Sequence, residues 1–164
     1  MGAKGIVLFR VDDRLIHGQV VVGWRRSLGA NAIIVCSDRA AGDEFAKTMM
    51  EMGAPADVRV EVTTVAEGAA KLRHGEYEGY TTIVLIETPC DALALMDGGV
   101  ELKKLNVGGM HFTTGKRQIL EAVSVDAEDC RCLRTLAARG VDVYFQMVPN
   151  AKPAKIVERL PEDI

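Results

Sequence analysis

The chain has 164 residues, of which 48% are hydrophobic and 26% are charged, and this size suits one well-buried domain rather than two. A net charge of −3 and a pI near 5.6 provide no basic surface for a phosphate backbone, so nucleic acid is not expected as a partner. No stretch reaches the roughly 20 apolar residues of a membrane span, and residues 1–10 do not look like a secretion signal. We therefore expect a cytosolic protein with a single domain over residues 1–164.

Short runs of β-branched residues alternate with helical patterns along the chain. They predict strands over residues 5–10, 32–36, 58–63, 81–86, 104–107, 122–125 and 141–146. Helices are predicted over residues 17–28, 42–52, 64–74, 89–97, 126–138 and 152–159. This alternation is typical of an α/β fold, here an open, mostly parallel, twisted sheet of about six or seven strands with helices on both faces. Such sheets bind ligands beyond the carboxyl ends of their strands, which directs attention to the loops there.

The loop after the first strand holds the strongest candidates for a site. His17 offers a ring nitrogen that is nucleophilic when unprotonated, and Arg14 offers a planar fork of donors that suits a phosphoryl group. Gly18 allows close approach of the backbone. Asp12 and Asp13 suit either the site or a turn and helix N-cap, because a short carboxylate accepts hydrogen bonds from free N–H groups. From these residues alone, two interpretations of His17 stay open: it is either a nucleophile or an ordinary hydrogen-bonded histidine near a helix start.

The four cysteines are the alternative nucleophiles. An intracellular chain of this size has little need of disulfides, so we expect reduced thiols, and the spacing of Cys130 and Cys132 does not match a zinc site. Cys36 ends an apolar strand and is expected in the core, whereas Cys90 lies beside the negative charge of Asp91, which disfavours a thiolate. We expect neither to carry a phosphoryl group, and we expect no metal or cofactor.

Two separate stretches of the sequence resemble one protein family. The first is VDDRLIHGQV at residues 11–20, followed by Trp24. The second comprises LNVGGM at 105–110, Phe112, GK at 115–116, AVSV at 122–125 and ARG at 138–140. Both resemble, in the same order, the motifs of the IIB components of mannose-family sugar phosphotransferase systems (PTS), and the likeness covers about residues 5–148.

The resemblance implies that the chain carries a phosphoryl group. In this family the histidine of the first motif accepts phosphoryl from a phosphohistidine on the IIA component and passes it to a sugar that arrives through the membrane subunits IIC and IID. It thus implies phosphorylation of His17 on Nδ1, a phosphoryl-binding role for Arg14, and an orienting role for Asp12. It also implies association with the membrane transporter and allows a homodimer. The further phosphate- or crevice-binding candidates are Asp13, Gly18, Gln19, Ser37, Asp38, Gly108 and Gly109.

Other polar residues keep two interpretations. His111 is either a neighbour of the site or part of a plain turn, and Lys116 and Arg117 either meet an anionic partner or are solvated. Many family members have an Arg just before a Lys where this chain has Ala46 and Lys47. That departure puts a phosphate or docking role of this helix in doubt and leaves Lys47 or Arg39 as substitutes.

Two other functions compete with the phosphoryl carrier. A flavodoxin-like or nucleotide-binding module would explain the fold, but it requires a glycine-rich loop after the first strand, and residues 11–20 contain a single glycine. A non-catalytic regulatory or binding module of the same fold stays open as an alternative, although the presence of both His17 and Arg14 argues against it.

Overall fold

The computed structural model describes residues 5–164, apart from the side chain of Val21. The strands are β1 Ile6–Asp12, β2 Ala32–Cys36, β3 Arg59–Thr63, β4 Thr82–Ile86, β5 Lys104–Gly109, β6 Arg117–Leu120, β7 Val123–Val125, β8 Asp142–Phe145 and β9 Ala154–Lys155. The helices are α1 Arg25–Leu28, α2 Asp38–Ala41, α3 Glu44–Met52, α4 Val65–Arg73, α5 Pro89–Asp97 and α6 Ala127–Ala138. A π-helical segment, Gln19–Trp24, runs directly into α1, and a 3-10 turn spans Val157–Arg159.

The main sheet has seven strands in the order β3-β2-β4-β1-β5-β8-β9. All neighbouring strands are parallel except β8 and β9, which are antiparallel. Strands β6 and β7 form a separate antiparallel pair. The predicted α/β class and its mostly parallel sheet are therefore confirmed.

The strands β2 and β4 are almost entirely apolar and fully buried because helices cover the sheet on both faces. Since side chains alternate along a strand, Ile34 and Val84 face a core cluster built with α4, α5 and α6. Ile33 and Ile83 point the opposite way, into a cluster that includes Trp24 of the π-helical segment and residues of α2 and α3. The predicted helices on both faces are thus confirmed.

Most helices begin where a short polar side chain accepts a hydrogen bond from the first turn. Ser37, Asp43 and Thr64 act in this way for α2, α3 and α4. Thr88 and Asp126 form reciprocal capping boxes at the starts of α5 and α6. Each cap satisfies backbone N–H groups that have no partner inside the helix, which fixes where the chain leaves each strand end.

Three predicted elements differ from the structure. The helix predicted over 152–159 is wrong: β9 pairs there with β8 and the 3-10 turn follows, because Pro153 disfavours helical backbone before it and Ile156 and Leu160 are buried. The strand predicted over 122–125 lies in the β6–β7 pair, outside the main sheet. The first helix begins at Gln19 rather than at residue 17.

The expectation of reduced thiols is wrong for one pair of cysteines. Cys90 and Cys132 form a disulfide, with their Cα atoms 5.2 Å apart and a sequence separation of 42. Their positions on α5 and α6 explain the pairing, because these two helices pack against each other on one face of the sheet. Cys36 and Cys130 are free and buried. Within residues 5–164, no helix has the length and apolar character that crossing a bilayer requires.

The core of this fold can be tested at Leu133 of α6, which is fully buried. We expect Leu133→Ala to lower the free energy of unfolding by about 2–5 kcal/mol, because the substitution loses apolar burial and leaves a cavity. The matched control is Met52→Ala at an exposed position, for which a change within about 0.5 kcal/mol is expected. Urea unfolding of both variants measures the difference, and equal stabilities would contradict the packing described here.

Candidate functional site

The site begins with two charged side chains on one face of β1. Arg10 and Asp12 are both fully buried, and they lie two residues apart on the face that Leu8 also uses. Arg10 Nη2 donates to Asp12 Oδ2 at 3.1 Å. Burying an unpaired charge is costly, so this pairing is what makes the buried carboxylate tolerable.

The loop after β1 folds back, so that the ring of His17 contacts the same carboxylate at the end of the strand. Its Nε2 lies 2.7 Å from Asp12 Oδ2. This path of the chain depends on a tight turn at Leu15, which has a positive φ of 59°. The side chain of Leu15 is buried, and its N–H donates to Asp12 O at 2.9 Å. An ionised carboxylate can only accept a hydrogen bond, so Nε2 carries the proton and Nδ1 keeps the lone pair.

The surroundings keep Asp12 ionised. Burial alone would raise the pKa of this carboxyl. The hydrogen bond from His17, the charge that its ring carries when protonated, the charge of Arg10 and the N–H of Arg14 outweigh burial and lower the pKa. In turn, burial lowers the pKa of Arg10, and Asp12 opposes that shift. The site therefore holds a permanent negative charge against His17 at neutral pH.

Arg14 lies over the outer side of this carboxylate. Its backbone N–H donates to Asp12 Oδ1 at 3.1 Å, and its Nε lies 3.7 Å from the same oxygen. Its Nη2 donates to Gln19 Oε1 at 3.1 Å. The side chain is 45% exposed, so guanidinium donors remain available to a ligand. Gly18 is exposed, with no atom within 4 Å of where its Cβ would be, which leaves open space beside His17.

Arg10 is a site residue that the sequence analysis missed. Its Nη1 donates to Asn106 Oδ1 at 2.7 Å and to Gln146 O at 3.0 Å, and its Nη2 also donates to Met147 O at 3.1 Å. Its guanidinium lies 5.4 Å from the ring centroid of Trp24, whose Nε1 donates to Met147 O. The signal was an arginine within the apolar run of residues 6–11, because an arginine is seldom buried without a partner.

The two glycines at the end of β5 serve this buried network. A Cβ built on Gly108 would lie 1.9 Å from Arg10 Cζ, so only glycine leaves room for the guanidinium. A Cβ on Gly109 would lie 3.4 Å from Asp12 Oδ1. Both glycines are buried. Gly108 thus faces Arg10 rather than the open crevice in which it was predicted.

Asp13 pairs with the residue whose role the sequence left open. His111 N donates to Asp13 Oδ2 at 2.7 Å, and His111 Nδ1 lies 2.5 Å from Asp13 Oδ1. The backbone N–H of Asp13 donates to Gly109 O at 3.1 Å. His111 is therefore next to the site, and Asp13 connects the loops after β1 and β5.

Ser37 and Asp38 lie at the same edge of the sheet but have local partners. Ser37 is buried, caps α2 and donates to Glu87. Asp38 accepts from the first N–H of α4, at Val65. Glu87 also pairs with Arg39 at 3.2 Å. In the part of the chain that the structure describes, neither Ser37 nor Asp38 forms a hydrogen bond or ion pair with His17.

A groove of about 420 Å³ opens beside His17. It lies between the loop after β1, the π-helical segment and α3, and its lining is Ile16, His17, Gly18, Val22, Met49, Met50 and Gly53. π-helical turns occur frequently at functional sites, and this one begins two residues after the histidine. Most of the lining is apolar, which suits a protein surface better than a small polar ligand.

The remaining candidates are occupied or buried. Lys116 Nζ donates to Asp129 at 3.0 Å, and Arg117 pairs with Asp163 at 2.7 Å, so both are engaged within the chain. Burial raises the pKa of the Cys36 thiol to about 12, which makes it a poor nucleophile. Among residues 5–164 there is no cluster of three or more side chains suited to hold a metal ion.

The chain is thus an α/β protein in which a buried carboxylate orients a histidine at the carboxyl edge of a parallel sheet, an arrangement that suits nucleophilic chemistry. Comparisons with known proteins make this class specific. The family model for the PTS system sorbose subfamily IIB component matches residues 6–163. The chain therefore belongs to this family of phosphotransferase-system IIB components, and the resemblance seen in its motifs is confirmed.

Individual relatives agree with the family model. The fructose-specific EIIB component of Bacillus subtilis is 39% identical over 155 residues, which are 94% of this chain and 95% of the relative. The IIBSor domain of the sorbose permease from Klebsiella pneumoniae is 34% identical with a TM-score of 0.89, covering 94% of each chain. The mannose-specific EIIAB component of Escherichia coli is 38% identical over 153 residues, which are 93% of this chain but 47% of the relative.

The fit of Arg10 under Gly108 gives a prediction for the site. We expect Gly108→Ala to displace the guanidinium, to lower the free energy of unfolding by about 1–3 kcal/mol through overpacking, and to raise the pKa of Asp12 as the positive charge moves away. Denaturant unfolding and a carboxyl ¹³C NMR titration measure the two effects. Gly79→Ala is the control, since no atom lies within 4 Å of that Cβ position, and identical behaviour of both variants would contradict the network.

Proposed function

We propose that His17 accepts a phosphoryl group from a phosphohistidine of a IIA protein or domain and then transfers it to a sugar that IIC and IID membrane subunits translocate. The observation that carries this proposal is the 2.7 Å contact between His17 Nε2 and the buried Asp12 carboxylate. It leaves Nδ1 as the nucleophilic nitrogen. Under this proposal residues 1–164 act as one IIB domain, at the cytoplasmic side of the transporter.

The geometry supports the following transfer step. Nδ1 attacks the phosphorus, the P–N bond to the donor histidine breaks and a P–Nδ1 bond forms. The proton on Nε2 stays in place, and the positive charge that develops on the His17 ring is stabilised by the adjacent carboxylate of Asp12. In the second step the sugar hydroxyl oxygen bonds to phosphorus, the P–Nδ1 bond breaks with its electron pair returning to Nδ1, and the hydroxyl proton passes to solvent. Neither step needs a cofactor.

Arg14 supplies the donors that phosphoryl transfer requires. The transition state spreads negative charge over three equatorial oxygens, and the protein contributes mainly positioning and electrostatic stabilisation. Arg14 is held beside Asp12 and Gln19 yet is 45% exposed, so it can turn remaining N–H groups towards phosphoryl oxygens. The open space next to Gly18 gives these oxygens room.

The comparisons support a IIA partner in this proposal, whereas the IIC and IID subunits enter it through the family resemblance. The Escherichia coli relative is named an EIIAB component and is about twice as long as the part that this chain matches, which favours a IIA partner for the present chain. The relatives are named for fructose, sorbose and mannose, so the proposal concerns a sugar hydroxyl of unspecified identity. A homodimer belongs to the proposal only through the family resemblance.

The first test is phosphorylation of His17. We expect the protein to acquire acid-labile, base-stable label from labelled phosphoenolpyruvate in the presence of enzyme I, HPr and the matching IIA protein, and His17→Ala to acquire none, because the nucleophile is gone. The control is His74→Ala, an exposed histidine that ends α4, which should be labelled normally. Label persisting in His17→Ala, or an absence of label in the parent protein, would refute the proposal.

The second test is the contribution of Arg14. We expect Arg14→Ala to slow transfer from the phosphorylated IIA protein by about 10²- to 10³-fold, because it removes donors to the transition state. Its thermal stability should change little, since the side chain is partly exposed. Arg26→Ala, at an exposed position of α1, is the matched control. A normal transfer rate in Arg14→Ala would exclude the role, whatever its effect on stability.

A further inference from the structure

The ladder between β1 and β5 ends beside the site. The two strands pair in parallel as far as Asp12 and Gly109. From Met110 onwards the backbone bonds instead with the β6–β7 hairpin: Met110 N donates to Ala122 O at 2.9 Å, and Ser124 N donates to Met110 O at 2.7 Å. The two loops that carry His17 and His111 therefore diverge where the site begins.

One side-chain contact ties the loops together beyond that point. The carboxylate of Asp13 accepts from the backbone N–H of His111 at 2.7 Å and from its ring at 2.5 Å. Because an ionised carboxylate only accepts, the proton at this contact is on Nδ1 of His111. The backbone N–H of Asp13 still donates to Gly109 O at 3.1 Å, and the carboxylate extends this connection to His111.

This contact lies next to the pair that orients His17. The consecutive residues Asp12 and Asp13 hold different histidines, His17 and His111. A Cβ built on Gly109 would lie 3.4 Å from Asp12 Oδ1 and 3.7 Å from His111 Cε1, so the two pairs flank a single glycine. A backbone rotation that displaces Asp13 also displaces the peptide that it shares with Asp12.

We propose that His111 is a positioning residue for phosphoryl transfer, whose Nδ1–H holds Asp13 and thereby the start of the loop that carries His17. This inference rests on the proposed function. His111 acts through Asp13 and does not touch the phosphoryl group. The buried side chain of Leu15 anchors the loop independently, so loss of the tie changes the geometry of the site without unfolding the chain.

Three substitutions of His111 distinguish the roles of its two ring nitrogens. The amide nitrogen of Asn reaches the place of Nδ1, whereas that of Gln reaches the place of Nε2. At saturating phosphorylated IIA protein we expect His111→Ala and His111→Gln to transfer about tenfold more slowly, because small displacements of reacting groups are costly. His111→Asn should stay within about twofold of the parent rate, because it restores a donor to Asp13. His74→Ala is again the control.

Two further readouts distinguish positioning from a merely structural or docking effect. The concentration of phosphorylated IIA that gives half the maximal rate should not change. Amide hydrogen exchange at Arg14 and Leu15, whose N–H groups bond to Asp12, should speed up in the Ala and Gln variants but not in the Asn variant. This exchange experiment needs no partner, so it tests the tie even if His17 proves not to be phosphorylated.

The inference would be overturned by any of three results. Transfer in His111→Ala at the parent rate would remove the role. His111→Asn as slow as His111→Ala would show that the Nδ1 contact is not what matters. Rescue by Gln instead of Asn would assign the effect to Nε2, and hence to a direct contact that the proposal denies.

Discussion

The buried carboxylate of Asp12 is the constraint on which the site depends. A fully buried charge requires compensation, and Asp12 obtains it from Arg10 inside the fold and from His17 at the edge. The same contact that satisfies the carboxylate fixes the proton on Nε2 of the histidine. The stability of the strand end and the orientation of the His17 ring therefore have one cause, and a substitution that removes the carboxylate affects both.

The compensation of this buried charge also involves residues that are distant from Asp12 in sequence. The two Nη groups of Arg10 also donate to Asn106 and to the backbone carbonyls of Gln146 and Met147, so β5 and the segment after β8 help to hold the strand-one carboxylate. Among the described residues, the buried Nε of Arg10 has no hydrogen-bond partner. Gly108 is required because the guanidinium occupies the space of its side chain. Beside His17, the groove adds an open surface with a mostly apolar lining. The inner network is buried and the outer face is open, and this combination is compatible with the proposed function.

Sequence patterns predicted the parallel strands well because these are continuous apolar runs. The loop at residues 11–20 was recognisable as the candidate site because it concentrates polar residues after a strand. The patterns could not reveal long-range side-chain pairings. The sequence pattern placed Arg10 at the end of a predicted strand. It could not indicate the partners of Arg10, because they lie 96 and 136 residues away in sequence. The tie between Asp13 and His111 spans 98 residues, and the disulfide between Cys90 and Cys132 joins two helices that only the folded packing brings together. Near the chain end, strand pairing with β8 overrode a helical pattern at 152–159.

Under the proposed function, Asp12 fixes which nitrogen of His17 reacts. ¹⁵N NMR of the His17 ring, recorded before and after phosphorylation by the IIA protein, tests it directly. In the unphosphorylated protein at neutral to mildly alkaline pH, we expect Nε2 to carry the proton and Nδ1 to show the shift of an unprotonated nitrogen. After phosphorylation, the coupling to phosphorus should appear on Nδ1. A proton on Nδ1 in the resting protein, or phosphorus bonded to Nε2, would contradict the account.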